Sequence, residues 1–327
     1  MPVQALPRSA VEYGRDQRAE IGAAIAAVGR IWRGMGDEFD ASYARIEGSL
    51  LAVVGTAQLR VAEGAVEYVP AVLEETGQRR AVAASAEVVP SALVGVAGDG
   101  RPVDGLLYGS VIRAKQGVAE GRSAAQALAA SGQWLSMAVG TVLSDTGRAA
   151  EKVGMAVRPV SGYVRMLNPP SCSRCAILAG SFYRSSTAFQ RHPGCDCRHI
   201  PASEAVANDL TVNVNEYFDS LPAAEQDRIF TKAGAEAIRE GADINQVVNA
   251  RRGMNTATTP SGRRVLAPVR IGGQDVFITR ESITRRGSAS RALTGRRGER
   301  LMPESIQQIA TDKADYLRLL RANGYIR

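Results

Sequence analysis

Between residues 15 and 60, apolar side chains recur at alternating steps of four and three: Ile21, Ile25, Val28, Trp32, Met35, Phe39, Tyr43, Ile46, Leu50 and Val53. That spacing draws one stripe along a helix and comes close to a heptad seam. Gly34 and Gly36 interrupt it. Each costs about 1 kcal/mol relative to Ala inside a helix, so a kink or break is expected there. The stripe reads as the core face of a long helix. A seam for oligomerisation or for docking a partner is the sharper alternative.

Residues 61–121 are patterned less clearly. Pro70, Pro90 and Pro102 punctuate Val- and Ala-rich runs, and Gly98-Asp99-Gly100 is a turn signal. Short helices joined by loops are expected, with room for a strand or two. A second strong helix opens at Ser123, where Ser123-Ala-Ala-Gln126 has the form of a capping box. Leu128, Leu135, Val139, Val142, Ala149 and Val153 hold one face to about residue 157, and Pro159 stops it.

Beyond residue 220 the pattern predicts a helix opened by Pro222, running through Ile229, Phe230 and Ile238 to Gly241. A short helix follows over Asp243–Ala250, then a short strand at Val276–Thr279. A last helix spans about Thr311 to Ala322 and ends at Asn323-Gly324. No internal repeat is visible.

The chain reaches its chemistry at residues 172–199. All four cysteines and both histidines of its 327 residues lie there, as Cys172-Ser-Arg-Cys175 and then His192-Pro-Gly-Cys195-Asp-Cys197-Arg-His199. The two-residue gap between Cys172 and Cys175 lets a tight turn aim both sulfurs at one ion. The 19 residues from there to Cys195 approach the span between paired ligands in zinc ribbons. The second half is atypical, because Cys195 and Cys197 are one residue apart and flanked by histidines. Tetrahedral zinc takes four ligands. Cys172, Cys175 and Cys197 are read as three of them, with His192 or Cys195 as the fourth and His199 ranked last. Soft sulfur and nitrogen donors favour zinc over magnesium or calcium. Four protein ligands would leave no position for a substrate, which makes such a site structural. Phe182, Tyr183 and Phe189, between the two halves, read as a small core over it.

Catalysis is read as absent. A Cys-His or Ser-His nucleophile needs a histidine free to act as base, and both histidines sit among the cysteines. No spacing singles out a pair of carboxylates, and neither a P-loop nor a dinucleotide-binding glycine motif occurs.

Composition changes the picture in two places. Apolar residues make up 45% and charged residues 22%, as in ordinary folded chains, but aromatics at 5% mean cores built from small side chains. The start lacks a basic segment followed by an apolar run, so no signal peptide is expected, and no uninterrupted apolar run reaches the roughly 18 residues of a spanning helix. In a cytosolic setting cysteines serve more often as metal ligands than in disulfides. The net charge of +7 is concentrated in residues 251–300. Twelve Arg stand there against Asp275, Glu281 and Glu299, which makes that segment +9 and the remainder −2. Residues 284–298 have the composition of a mobile arm. The segment could neutralise DNA phosphates without regard to sequence, or lie on an acidic protein surface.

Asn168-Pro-Pro-Ser-Cys172-Ser-Arg-Cys175-Ala-Ile-Leu-Ala-Gly180, followed by Arg191-His192-Pro-Gly-Cys195-Asp-Cys197, resembles the signature of the Mu F-like minor head proteins of tailed bacteriophages. The motif covers about 30 residues. The N-terminal helices, Arg300-Leu-Met-Pro-Glu-Ser-Ile306 and Leu319-Leu-Arg-Ala-Asn-Gly-Tyr-Ile326 are similar to versions from phages of high-GC hosts. The resemblance implies a minor capsid or head-morphogenesis protein, made in the host cytoplasm and residing in the virion near the portal. Portal and major capsid or scaffold proteins would be its partners. Cys172, Cys175, His192, Cys195 and Cys197 carry the shared pattern, and His199 lies outside it. Some relatives are joined to capsid maturation proteases or toxin domains, and no separate region here would supply either activity.

The expectation is therefore a mainly α-helical protein in three parts. An elongated helical region spans 1–157, and a small zinc-clipped α+β module with its following helices spans 158–250. A basic, partly irregular arm with a terminal helix spans 251–327. A structural role in the phage head is the leading reading. A capsid maturation protease and a zinc-dependent nucleic-acid-binding module are the alternatives.

Overall fold

A computed structural model describes residues 6–167, 171–187, 195, 197–207, 210, 213–258, 264–271, 273–281 and 299–326. Among the described residues the protein is mainly helical, 62% of them, with a few small sheets. Backbone contacts divide it into two units, Met1–Pro170 with Ala179–Val212, and Ser171–Leu178 with Asn213–Arg327.

The first unit begins with α1 (Arg8–Trp32) and α2 (Phe39–Glu75), so the chain breaks where Gly34 and Gly36 weaken the seam. The stripe survives the break. Val28, Trp32, Phe39, Tyr43 and Leu50 are buried in one core, with Ile21, Ile25, Met35, Ile46 and Val53 packed against it. α2 runs through Pro70, where short helices were expected. A proline inside a helix costs about 3 kcal/mol. Here Val69, Val72 and Leu73 beside it are fully buried, and burying a Val or Leu returns about 1.5–3 kcal/mol each. α2 is long and apolar enough to cross a membrane by length and composition alone, and Leu50, Val54, Ala57, Val61 and Ala65 are buried within the unit.

Single 3₁₀ turns at Arg79–Ala81 and Pro90–Leu93 lead to α3 (Val103–Ala119) and α4 (Ala124–Ala156). Buried Gln58 of α2 braces the connection: its Nε2 donates to the Val96 carbonyl and its Oε1 accepts from Gly95 N–H. Ser123 and Gln126 form the expected capping box at the start of α4. α1 lies close against α4, because a Cβ at Gly132 would come within 2.7 Å of the Trp32 ring. The Trp32 indole N–H donates to the Leu128 carbonyl.

After α4 come β1 (Gly162–Met166), β2 (Phe182–Arg184) and β3 (Arg198–Ala202), an antiparallel sheet of order β2-β1-β3. Tyr163 faces Tyr183 and Pro201 in register, and Arg165 faces His199. Both β1 and β3 are buried throughout. The sheet closes over Gly162, where an added Cβ would meet the Tyr183 carbonyl oxygen. A short helix, α6 (Glu204–Ala207), follows.

The second unit holds α5 (Ser173–Ala176), α7 (Val214–Ser220), α8 (Ala223–Phe230), α9 (Lys232–Arg239) and α10 (Ile244–Ala250). The single helix expected from Pro222 to Gly241 is split at Thr231, whose φ of 68° and ψ of 154° end α8. Such a conformation is close to exclusive to glycine and costs of order 1–3 kcal/mol. The Thr231 hydroxyl offsets part of that. It accepts from Gly234 N–H to cap α9 and from Arg251, which is ion-paired with Glu304.

Three short antiparallel pairs come next. They are β4 (Thr256–Thr258) with β5 (Arg264–Leu266), β6 (Val269–Ile271) with β7 (Gln274–Val276), and β8 (Ile278–Thr279) with β9 (Arg300–Leu301). The strand expected over Val276–Thr279 is thus shared between β7 and β8. α11 (Pro303–Ile309) and α12 (Lys313–Ala322) complete the unit. Its core gathers Ala237, Val247, Ile306, Tyr316, Leu320 and Tyr325. The arm expected over 284–298 lies outside the described residues.

Candidate metal centre

The side chains that organise this region come from α4. Seven consecutive residues, Val142 to Arg148, are buried, followed by Ala150 and Glu151. A helix hidden on all sides among small apolar residues must satisfy whatever charges it carries from within. Asp145 and Arg148, one turn apart, form a buried ion pair. Arg148 Nη1 then donates to the carbonyl oxygens of both Cys195 and Cys197, at 2.9 Å each. One guanidinium thus fixes the backbone on either side of residue 196.

The next turn repeats the device. Buried Glu151 accepts from His199 N–H at 3.1 Å and lies 2.6 Å from His199 Nδ1. Burial alone would raise the Glu151 carboxyl. The hydrogen bonds and charge of His199, with the charge of Arg198, outweigh it and hold the group below the ordinary carboxylate range. Tyr68 donates its hydroxyl to the His199 carbonyl, and its ring stacks on Tyr13 at 4.3 Å between centroids. Burial pushes both tyrosines well above the usual phenol value. The Arg198 guanidinium lies 5.3 Å from the centre of the Tyr13 ring.

These contacts position the cysteines. The sulfurs of Cys175, Cys195 and Cys197 lie within 4.8 Å of one another, and all three residues are buried. Ligands 2.3 Å from a tetrahedral zinc ion stand about 3.8 Å apart, so a group of this size can hold a metal ion. Arg165 of β1 points a guanidinium nitrogen at the Cys195 sulfur, 3.8 Å away, which favours the thiolate a metal requires.

Of the other expected ligands, Cys172 precedes α5 and its sulfur accepts the Cys175 N–H at 3.4 Å. It is not part of the three-sulfur group. His192 lies outside the described residues. His199 is directed at Glu151 and stacks edge-on against Tyr163.

No family model, curated protein or solved structure matches this chain. What it can do is therefore argued from the site itself. Three buried sulfurs form a soft donor set that could hold a metal ion. Asp145, Arg148, Glu151, Arg165 and Arg198 support that set, and none was picked out from the sequence. The one available signal was the three-residue spacing of Asp145, Arg148 and Glu151, which puts charge along one side of an otherwise small-residue helix.

Proposed function

We propose that zinc clips the cysteine module and that the protein is a structural, non-catalytic component of a tailed-phage head. The observation that carries this reading is the buried group of Cys175, Cys195 and Cys197 beneath the Arg148 clamp. A buried thiolate site completed by a fourth protein ligand, Cys172 or His192, orders the chain and offers no open position to a substrate. The phage setting is supported by the resemblance of residues 168–197 to Mu F-like minor head proteins. In that setting the protein acts near the portal, against portal, capsid or scaffold subunits.

Contact with packaged DNA is the secondary part of the proposal. Arg251, Arg252, Arg270 and Arg280 are ion-paired with Glu304, Glu281, Asp275 and Glu299. Arg300 is buried against the Tyr325 ring. Phosphate binding therefore falls to the exposed arginines of the 251–300 segment and not to Arg300.

The test is to disrupt the gene in a phage that encodes it and complement with wild type or Cys175→Ser. Wild type should appear in purified particles. Cys175→Ser should lower its incorporation while major capsid processing stays normal. Absence of the protein from particles and assembling heads would refute the head role, and an uncleaved capsid precursor would point to a protease.

A further inference from the structure

Cys172 and Cys175 share one turn of the second unit. The Cys172 carbonyl accepts the Ala176 N–H at 3.0 Å, and its sulfur accepts the Cys175 N–H at 3.4 Å. A helical turn rises about 5.4 Å, inside the roughly 4.4–6.8 Å that separates the Cα atoms of a disulfide. The Cys172 sulfur is thus already drawn over the backbone of Cys175, and side-chain rotation is the main movement a bond between the two would need.

The two cysteines differ in access. Cys175 is fully buried, as are Cys195 and Cys197, whereas Cys172 is only half-buried. Exchange with a dissolved disulfide uses that asymmetry: an outer sulfur that a solute reaches, and an inner one that completes the bond. Cys175 also belongs to the three-sulfur group, from which Cys172 stands apart. One buried sulfur therefore has two competing uses, in the metal group and in a bond to its neighbour in the turn.

We propose that Cys172 and Cys175 form a thiol–disulfide exchange site for small-molecule disulfides of the glutathione class. The Cys172 thiolate attacks one sulfur of the small disulfide, forming a mixed disulfide and releasing one thiolate. The Cys175 thiolate then attacks the Cys172 sulfur, closing the Cys172–Cys175 bond and releasing the second. Two cysteines are oxidised and one small disulfide is reduced to two thiols, which take up the two protons the cysteines give. Closure withdraws Cys175 from the three-sulfur group and opens the zinc clip. That consequence rests on the function proposed above, whereas the exchange itself does not.

The test treats the full reduced chain with oxidised glutathione, blocks remaining thiols by alkylation and maps tryptic peptides by mass spectrometry. Cleavage after Arg165, Arg174, Arg184, Arg191 and Arg198 puts Cys172 on residues 166–174, Cys175 on 175–184, and Cys195 with Cys197 on 192–198. Wild type should yield peptide 166–174 linked to 175–184, and excess reduced glutathione should reverse it. Cys175→Ser should stop at a glutathione adduct on 166–174. Cys172→Ser should react at Cys175 about tenfold more slowly, since the remaining thiol is buried. Circular dichroism establishes that each variant is folded, and the wild-type map is the variant-free readout. No linkage, linkage to 192–198 instead, or undiminished reaction of folded Cys172→Ser would each overturn the exchange site. A chromophoric chelator should report zinc leaving in step with the linkage, and zinc retained by the linked chain would overturn the switch. A reduced chain that carries no zinc would refute the clip and leave the peptide map to judge the exchange site.

Discussion

Arg148 Nη1 donates to the carbonyl oxygen of Cys197 at 2.9 Å. The same nitrogen reaches the Cys195 carbonyl, and Asp145 holds the guanidinium from the other side. The direction of two sulfurs is thereby written into α4, more than forty residues earlier in the chain. Arg148→Lys keeps the charge and loses the paired contact. Outer-shell changes of this kind typically cost 10–100-fold in metal affinity, so a loss of about 10-fold or more is expected in competition with a chromophoric chelator. An unchanged affinity would make the clamp incidental.

Glu151 carries the pH dependence. Its carboxyl is held below its ordinary value in the folded chain, so its contribution is present above the unfolded carboxylate pKa of about 4.3 and is lost as pH falls through the lower folded value. Denaturant midpoints measured from pH 7 to pH 3 should therefore drop on the acid side. Glu151→Gln should flatten that limb and lower stability at pH 7 by about 1–3 kcal/mol, as expected when buried hydrogen-bonding groups lose their acceptor. A parallel acid limb in the variant would place the titration elsewhere.

Thr231 gives a prediction of the opposite sign. Glycine adopts its backbone conformation without strain and costs an N-cap only a few tenths of a kcal/mol. Thr231→Gly should therefore stabilise the chain by about 1 kcal/mol, read as a raised urea midpoint. A lowered midpoint would show that the hydroxyl's contacts with Arg251 and Gly234 outweigh the strain.

Gly162 tests the sheet. A methyl there would collide with the Tyr183 carbonyl and the Phe182 ring, the first of which belongs to the backbone and cannot turn aside. Gly162→Ala should cost about 2 kcal/mol or more, with the lost hydrogen-exchange protection falling in β1 and β2. A full set of protected amides would contradict the register.

Much of the helical frame was legible from periodicity alone. The Ile21–Val53 stripe, the break at the paired glycines and the Ser123 capping box all depend on local spacing, and all appear in the structure. Pro70 and Thr231 misled in opposite directions. Burial of Val69, Val72 and Leu73 carries α2 past a residue that usually ends a helix, and a backbone value unusual for threonine ends one that the pattern continued. Both outcomes depend on distant packing, which local propensity does not contain.

The site divides similarly. Cys175, Cys195 and Cys197 could be picked out because cysteine is scarce and clustered. The apolar spacing continues the face of α4 through Ala149 and Val153, whereas Arg148 and Glu151 turn inward and Val153 is 40% exposed. A buried charge is recognisable only with its partners, and Cys197 and His199 lie about fifty residues downstream.

Metal analysis of the chain, purified with reductant from zinc-supplied cells, tests the cysteine cluster most directly. About one equivalent of zinc per chain is expected, with a sulfur-rich first shell by X-ray absorption. The bound metal should fall toward zero in Cys175→Ser and Cys197→Ser. A folded wild-type chain holding well under about a tenth of an equivalent would contradict the zinc clip.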